Sequence, residues 1–269
     1  MADSYDSAER SIIFVCGLNR DSYRLRQHSQ LHYYSDMPRI ARAVAVGFPH
    51  HITHRGNNRQ DIFFVDDDRR KYLAVLKEHC SKYGLDVLAY CLMTNHVHII
   101  AIPNKDDSLA KGIGRAHLHY TQYINRLHKR SGHLWEGRFY SCALDERSFW
   151  LAAKYVELNP VRAKICRVPW QYEWSSTATH VDDAKAAELL NLTIWNKMIS
   201  TKEWRNELAG GIDDQQMNRI RLSTHTGRPL GTDSFISKLE KLLGRRVRPL
   251  HIGRQPKKIK NVNLENYKW

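Results

Sequence analysis

The 269-residue chain is 42% hydrophobic with a formal net charge of +14, which excludes a fully disordered protein and leaves room for one good-sized domain plus an accessory region. So large a basic excess suits a polyanionic partner, nucleic acid ahead of a membrane surface. No apolar run approaches the roughly 20 residues of a membrane span, no small-residue cleavage site follows the apolar patch Ser11 to Cys16, and five scattered cysteines without a CxxC pair argue against a disulfide framework or zinc ribbon and for reduced thiols in a cytoplasmic setting.

Residues 1–36 are polar and lack any sustained period of 2 or 3.6, so they read as a mobile N-terminal extension. A domain texture begins at Met37 and runs to about residue 180. Pro49 to Gln60 reads as a first strand closing in a Gly/Asn turn, where Arg55, Asn57 and Arg59 are candidate contacts to phosphates and base edges. Asp66, Asp67 and Asp68 then start a helix favourably for its dipole; Tyr72, Leu73, Leu76, Cys80 and Tyr83 recur at helical spacing, and Gly84 ends it. Two apolar strands follow, Leu85 to Met93 and His96 to Pro103, around Thr94-Asn95. His96 and His98 are i, i+2 on one strand and share a face. Two imidazoles on so stiff a support suit the first two ligands of a divalent metal, although two solvated histidines on a polar sheet face give the same pattern.

A second helix is expected from about Ser108 to Arg130, with Leu109, Ile113, Ala116, Tyr120, Ile124 and Leu127 as its buried stripe. A last strand lies within Gly132 to Leu144, and a third helix spans Ser148 to Leu158. The first six elements, β-α-β-β-α-β, match an α+β, ferredoxin-like split βαβ fold: a central antiparallel sheet backed by helices, with the other face free for a ligand.

On the third helix Leu151, Tyr155 and Asn159 are spaced i, i+4, i+8, and Pro160 closes the helix at Asn159. This sets a phenol and an amide carbonyl one turn apart, a nucleophile and a third oxygen ligand for a metal on His96 and His98. A phosphodiester is a poor electrophile until a cation neutralises its oxygens, and a tyrosine is a poor nucleophile until its hydroxyl is positioned. Tyr120, Tyr123, Tyr140 and Tyr172 compete for the nucleophile's role. Beyond residue 180 the pattern is helical to about residue 250. Ala184 to Met198 reads as one helix, Ser200 to Glu203 as the capping box of another closed by Gly210-Gly211, Thr226 to Gly231 as a turn, and Thr232 as the cap of a helix ending at Gly244. Arg245 and Arg246 open a basic stretch that continues into a tail over residues 251–269, suited to electrostatic capture of DNA or to simple solvation.

The motifs His51-Ile52-Thr53-His54-Arg55-Gly56-Asn57, Ala89 through His98, Gly132 through Phe139, Tyr155 through Ala163, and Tyr172 through Ser176 occur here in order. Together they make the chain, from about Met37 to Ser176, resemble the REP-associated tyrosine transposases within the single-tyrosine HUH transposases of bacterial insertion sequences. The resemblance implies magnesium or manganese bound by His96 and His98, with Tyr155 as the attacking residue and Asn159 assisting the metal; by ligand type alone, zinc would suit the imidazoles as well. It implies a single-stranded DNA substrate folded into an imperfect palindromic hairpin, a 5′-phosphotyrosyl link and a free 3′-hydroxyl, and a monomer or homodimer at the bacterial nucleoid with no membrane partner. Arg138 and Arg162 join Arg55, Asn57, Arg59, Arg245 and Arg246 as candidate DNA contacts. His54 departs from the family, which more often has glutamine there. Two other readings stay open: a palindrome-binding protein without chemistry, and a metal-dependent phosphoesterase that uses water.

Overall fold

Short, largely apolar runs build a four-stranded antiparallel sheet in the computed structural model, which describes residues 41–182 and 187–249. The strands are β1 (His50–Arg55), β2 (Leu85–Met93), β3 (His96–Pro103) and β4 (Tyr140–Ala143), in the order β2-β3-β1-β4. With α1 (Asp66–Tyr83) between β1 and β2, and α2 (Gly114–Leu127) between β3 and β4, this is the ferredoxin-like split βαβ arrangement. The extension over residues 1–36 and the basic tail over 251–269 lie outside the described residues.

Local chemistry accounts for the element ends. The Asp68 carboxylate accepts from the backbone N–H groups of Phe64 and Val65 at the start of α1, and Gly84 ends that helix in the left-handed conformation, φ 64°, which glycine adopts without a Cβ penalty. β2 and β3 meet at the two residues Thr94 and Asn95, and the register sets Thr53 opposite His98 and Arg55 opposite His96. Gly56 follows; a Cβ there would lie 2.1 Å from the carbonyl oxygen of Gln60, so the tight turn after β1 requires glycine.

Several elements of this domain depart from the sequence expectation. The second helix is preceded by a π-helical turn, Leu109–Ile113. The last strand is shorter than its apolar run, because Leu134 and Trp135 fold over the Gly56 turn: the Asn57 N–H donates to the Leu134 carbonyl, and Trp135 bridges to Gly56. The third helix, α3 (Glu146–Glu157), begins earlier than expected because Asp145 caps it, accepting from the Ser148 N–H at 2.8 Å. Asn159 does not close the chain's helical path. It opens a further turn, α4 (Asn159–Arg162), where the missing N–H of Pro160 costs nothing.

The C-terminal part contributes α5 (Thr177–His180), α6 (Leu192–Asn196), α7 (Thr201–Ala209), α8 (Asp214–Thr226) and α9 (Asp233–Leu243). The helix expected over 184–198 is reduced, in its described part, to α6. Asn191 caps that helix with its side-chain oxygen, donates its amide to Asp86 and ties its N–H to the Val87 carbonyl. The Ser200 capping box and the Thr232 cap are both present. α8 has no counterpart in the sequence expectation; it starts at a capping box of Asp213 with Gln216 and ends at Gly227.

α1 and α2 cover one sheet face, where Tyr72 and His117 meet His54 beneath. The opposite face, expected to be open, is covered in part by α3 and α8. The apolar side of α3, Ala152, Ala153 and Val156, is fully buried and cannot be left in water. Among the described residues no helix is long and apolar enough to cross a membrane.

Two buried histidines away from that second face carry a pH dependence. Burial lowers the pKa of His50 to about 4 and that of His117 well below its ordinary value. The unfolded chain, with histidines near 6.5, takes up protons that the folded chain refuses. Their stability contribution is therefore complete above pH 6.5 and lost as the pH falls from 6.5 towards 4, by about 1.4 kcal/mol per histidine per unit. Urea unfolding midpoints measured at pH 7.5, 6 and 5 should drop steeply; midpoints level over that range would mean that the histidines are not held neutral.

Candidate active site

β3 directs His96 and His98 to the face beneath α3. Their rings lie 5.0 Å apart between centroids and nearly perpendicular. Tyr155, on α3, is buried to 6% exposure with its ring edge-on to His98 at 5.5 Å and to His51 at 5.8 Å. The histidine pair and the tyrosine of one chain thus share one pocket wall. The rival tyrosines lie elsewhere: the hydroxyls of Tyr120 and Tyr172 donate to the carbonyls of Ile62 and Leu92, Tyr140 stacks on His225, and Tyr123 stacks on Tyr120.

His51 joins this group, and its part was not read from the sequence. Its Nε2 lies 2.9 Å from Nδ1 of His98, and its Nδ1 lies 2.7 Å from the Thr224 hydroxyl on α8. Burial is the largest cause that lowers all three histidines: His51 to about 3, His96 to about 4 and His98 well below the usual range, with Arg162 adding to each and Arg55 to His96 and His98. They are neutral imidazoles at physiological pH. Nδ1 of His96 is engaged by the Asn95 side-chain oxygen at 2.7 Å. Each of the pair therefore has Nδ1 occupied, and no hydrogen bond among the described residues uses either Nε2. Neutral rings, each held through Nδ1, fit a divalent cation in the tautomer that leaves Nε2 unprotonated. Among the described residues no group of three His, Cys, Asp or Glu is arranged to hold a metal. Asn159 is 9% exposed, and its side chain makes no described hydrogen bond to either histidine.

The candidate DNA contacts divide. Arg55 is exposed beside His96, and Asn57 and Arg59 form the short 3₁₀ turn that follows. Arg162 arches over the Tyr155 ring at 4.1 Å and donates to the Tyr155 carbonyl at 2.8 Å. Arg138 is exposed in the loop before β4. Arg245 and Arg246 lie beyond α9, where each donates to a backbone carbonyl, Ala41 and Pro249; the structure does not bring them to the histidines. His54 sits on the other sheet face, 2.7 Å from His117 and stacked on Trp135, so its departure from the family leaves this pocket untouched.

The end of α3 is anchored behind the pocket. The carboxylate of Glu157, fully buried, accepts from Ser176 and Trp204 and pairs with His180. Ser176 belongs to a motif quoted from the sequence, but the anchor was not legible there, because its partners are 19 to 47 residues away.

Residues 46–159 match a protein family described as "Transposase IS200 like". No curated protein matches the chain. Among solved structures, a REP-associated tyrosine transposase bound to a REP hairpin aligns with a TM-score of 0.49 at 15% identity, over 57% of this chain and 90% of that one. A transposase from Deinococcus radiodurans, so described, aligns with a TM-score of 0.32 at 17% identity, over 45% of this chain and 96% of that one. The matched segment runs from the residues before β1, through the histidine pair and Tyr155, to Asn159, and over that segment the chain is similar to the IS200-like transposases.

Proposed function

We propose that this protein cleaves and rejoins single-stranded DNA at hairpin-forming palindromic repeats, with Tyr155 as the nucleophile, in the manner of the REP-associated tyrosine transposases. The observation that carries the reading is the placement of Tyr155 against His98 and His51, within a segment similar to the IS200-like transposases. His96 and His98 would hold a divalent cation, magnesium or manganese, with the Asn159 amide as a further oxygen donor. When bound, such a cation neutralises the scissile phosphate. The chain's own residues do the rest. α3, pinned at Glu157, holds the phenol in place. His51 donates no charge, being neutral, and fixes the ring plane of His98. Arg55, Arg59 and Arg162 supply positive charge beside the pocket for the DNA backbone. The Tyr155 oxygen bonds to phosphorus as the bond to the 3′ oxygen breaks. The phenolic proton passes to water, and the 3′ oxygen takes one from water. The phosphotyrosine conserves the energy of the broken bond, so a second strand can be joined without ATP.

Incubation with labelled single-stranded hairpin DNA and manganese, followed by a denaturing gel, tests the reading. A shortened DNA and a DNA-linked protein band are expected together. Cleavage without the linked band would favour the water-dependent phosphoesterase; binding without cleavage would favour the palindrome-binding protein.

A further inference from the structure

Helix α8 lies wholly beyond residues 46–159, yet two of its residues reach the pocket. The Arg221 Nε–H donates to the Tyr155 hydroxyl oxygen at 3.4 Å, and its guanidinium carbon is 6.0 Å from the ring centre. One turn on, Thr224, which is buried, holds His51 at 2.7 Å and lies 3.3 Å from the Cys142 sulfur on β4. Thr224 fixes the helix against the sheet, and that registration delivers Arg221 to the one atom of Tyr155 that would react. We infer that α8 is a wall of the active site and that Arg221 is a further catalytic residue, donating to the tyrosine oxygen as it attacks phosphorus.

The inference rests on the reading of Tyr155 as nucleophile. The physical argument is differential. A hydrogen bond from a guanidinium to a neutral phenol is modest, and it strengthens as negative charge gathers on that oxygen during the loss of its proton. A guanidinium offers donors and no acceptor, so Arg221 neither takes the phenolic proton nor forms a bond. Among the described residues, the charged and titratable groups facing Tyr155 are Arg221 from α8, Arg162 from α4, His51 from β1 and His98 from β3. Arg162 binds the backbone carbonyl and covers the ring; Arg221 is the one that meets the hydroxyl.

The test uses the full chain, a labelled single-stranded hairpin and manganese, and follows the DNA-linked band in single turnover at saturating protein. Arg221→Ala and Arg221→Gln should slow its formation on the order of tenfold to a hundredfold, the worth of a charge-assisted hydrogen bond. Hairpin affinity and thermal midpoint should stay near wild type, since Arg221 is exposed on α8, and millimolar guanidinium should restore part of the rate to Arg221→Ala. A wild-type rate in both variants overturns the inference, as does a loss that tracks falling stability and is not restored by guanidinium. A Tyr155→Phe control that still forms the band would instead overturn the nucleophile assignment, and so would wild type that forms none; either is distinguishable from a failure at Arg221 alone.

Discussion

Tyr155→Phe should abolish strand cleavage and the DNA-linked band together, by roughly a thousandfold or more, while hairpin binding persists. The substitution removes one oxygen. The ring remains buried, edge-on to His51 and His98 and under Arg162. The one described hydrogen bond lost is that from Arg221, so stability should change by no more than about 1 kcal/mol. The salt dependence of hairpin binding should be unaltered, because it arises from lysines and arginines against phosphates. Cleavage retained by Tyr155→Phe would point to water or another tyrosine. The geometry opposes the second: Tyr120 and Tyr172 are committed to backbone carbonyls.

His96→Ala and His98→Ala should each remove cleavage with added magnesium or manganese, yet differ in their cost to the fold. A simple view of a ligand face, exposed and free of packing, would expect both to be silent in stability. The structure divides them. His96 is half-buried, and its side chain's one hydrogen bond among the described residues is to its neighbour Asn95, so its loss should leave the thermal midpoint nearly unchanged. His98 is 5% exposed and holds Nε2 of His51. Truncating it opens a gap under α3 and leaves a buried imidazole nitrogen without its partner, costing about 1–3 kcal/mol. Denaturant titration and a cleavage gel on both variants check this. Full activity in His96→Ala would remove it from any metal-binding role, and unchanged stability in His98→Ala would mean that His51 finds another partner.

Much of this molecule was legible in one dimension, where the signal was local. The apolar strand runs, the Asp66 start and Gly84 stop of α1, the Thr94-Asn95 hairpin, the Ser200 and Thr232 caps and the i, i+2 histidines all depend on neighbours within a few residues. Element order alone carried the ferredoxin-like topology, since short connections and a central hairpin leave few other ways to pair the strands. Where the sequence reading failed, the deciding contact was distant. Asn191 shortened a helix by binding Asp86, and the loop through Trp135 curtailed a strand by folding over Gly56.

The sequence by itself determined the fold class, the histidine pair on a central strand and the tyrosine one turn before Asn159, because each is written in short-range spacing and in hydrophobic period. Only the tertiary structure decided what surrounds them. His51 meets His98 across 47 residues, Thr224 meets His51 across 173, and Arg221 meets Tyr155 across 66. Such pairings are set by strand register and by which helix face must leave water, and neither leaves a mark at the residues it joins.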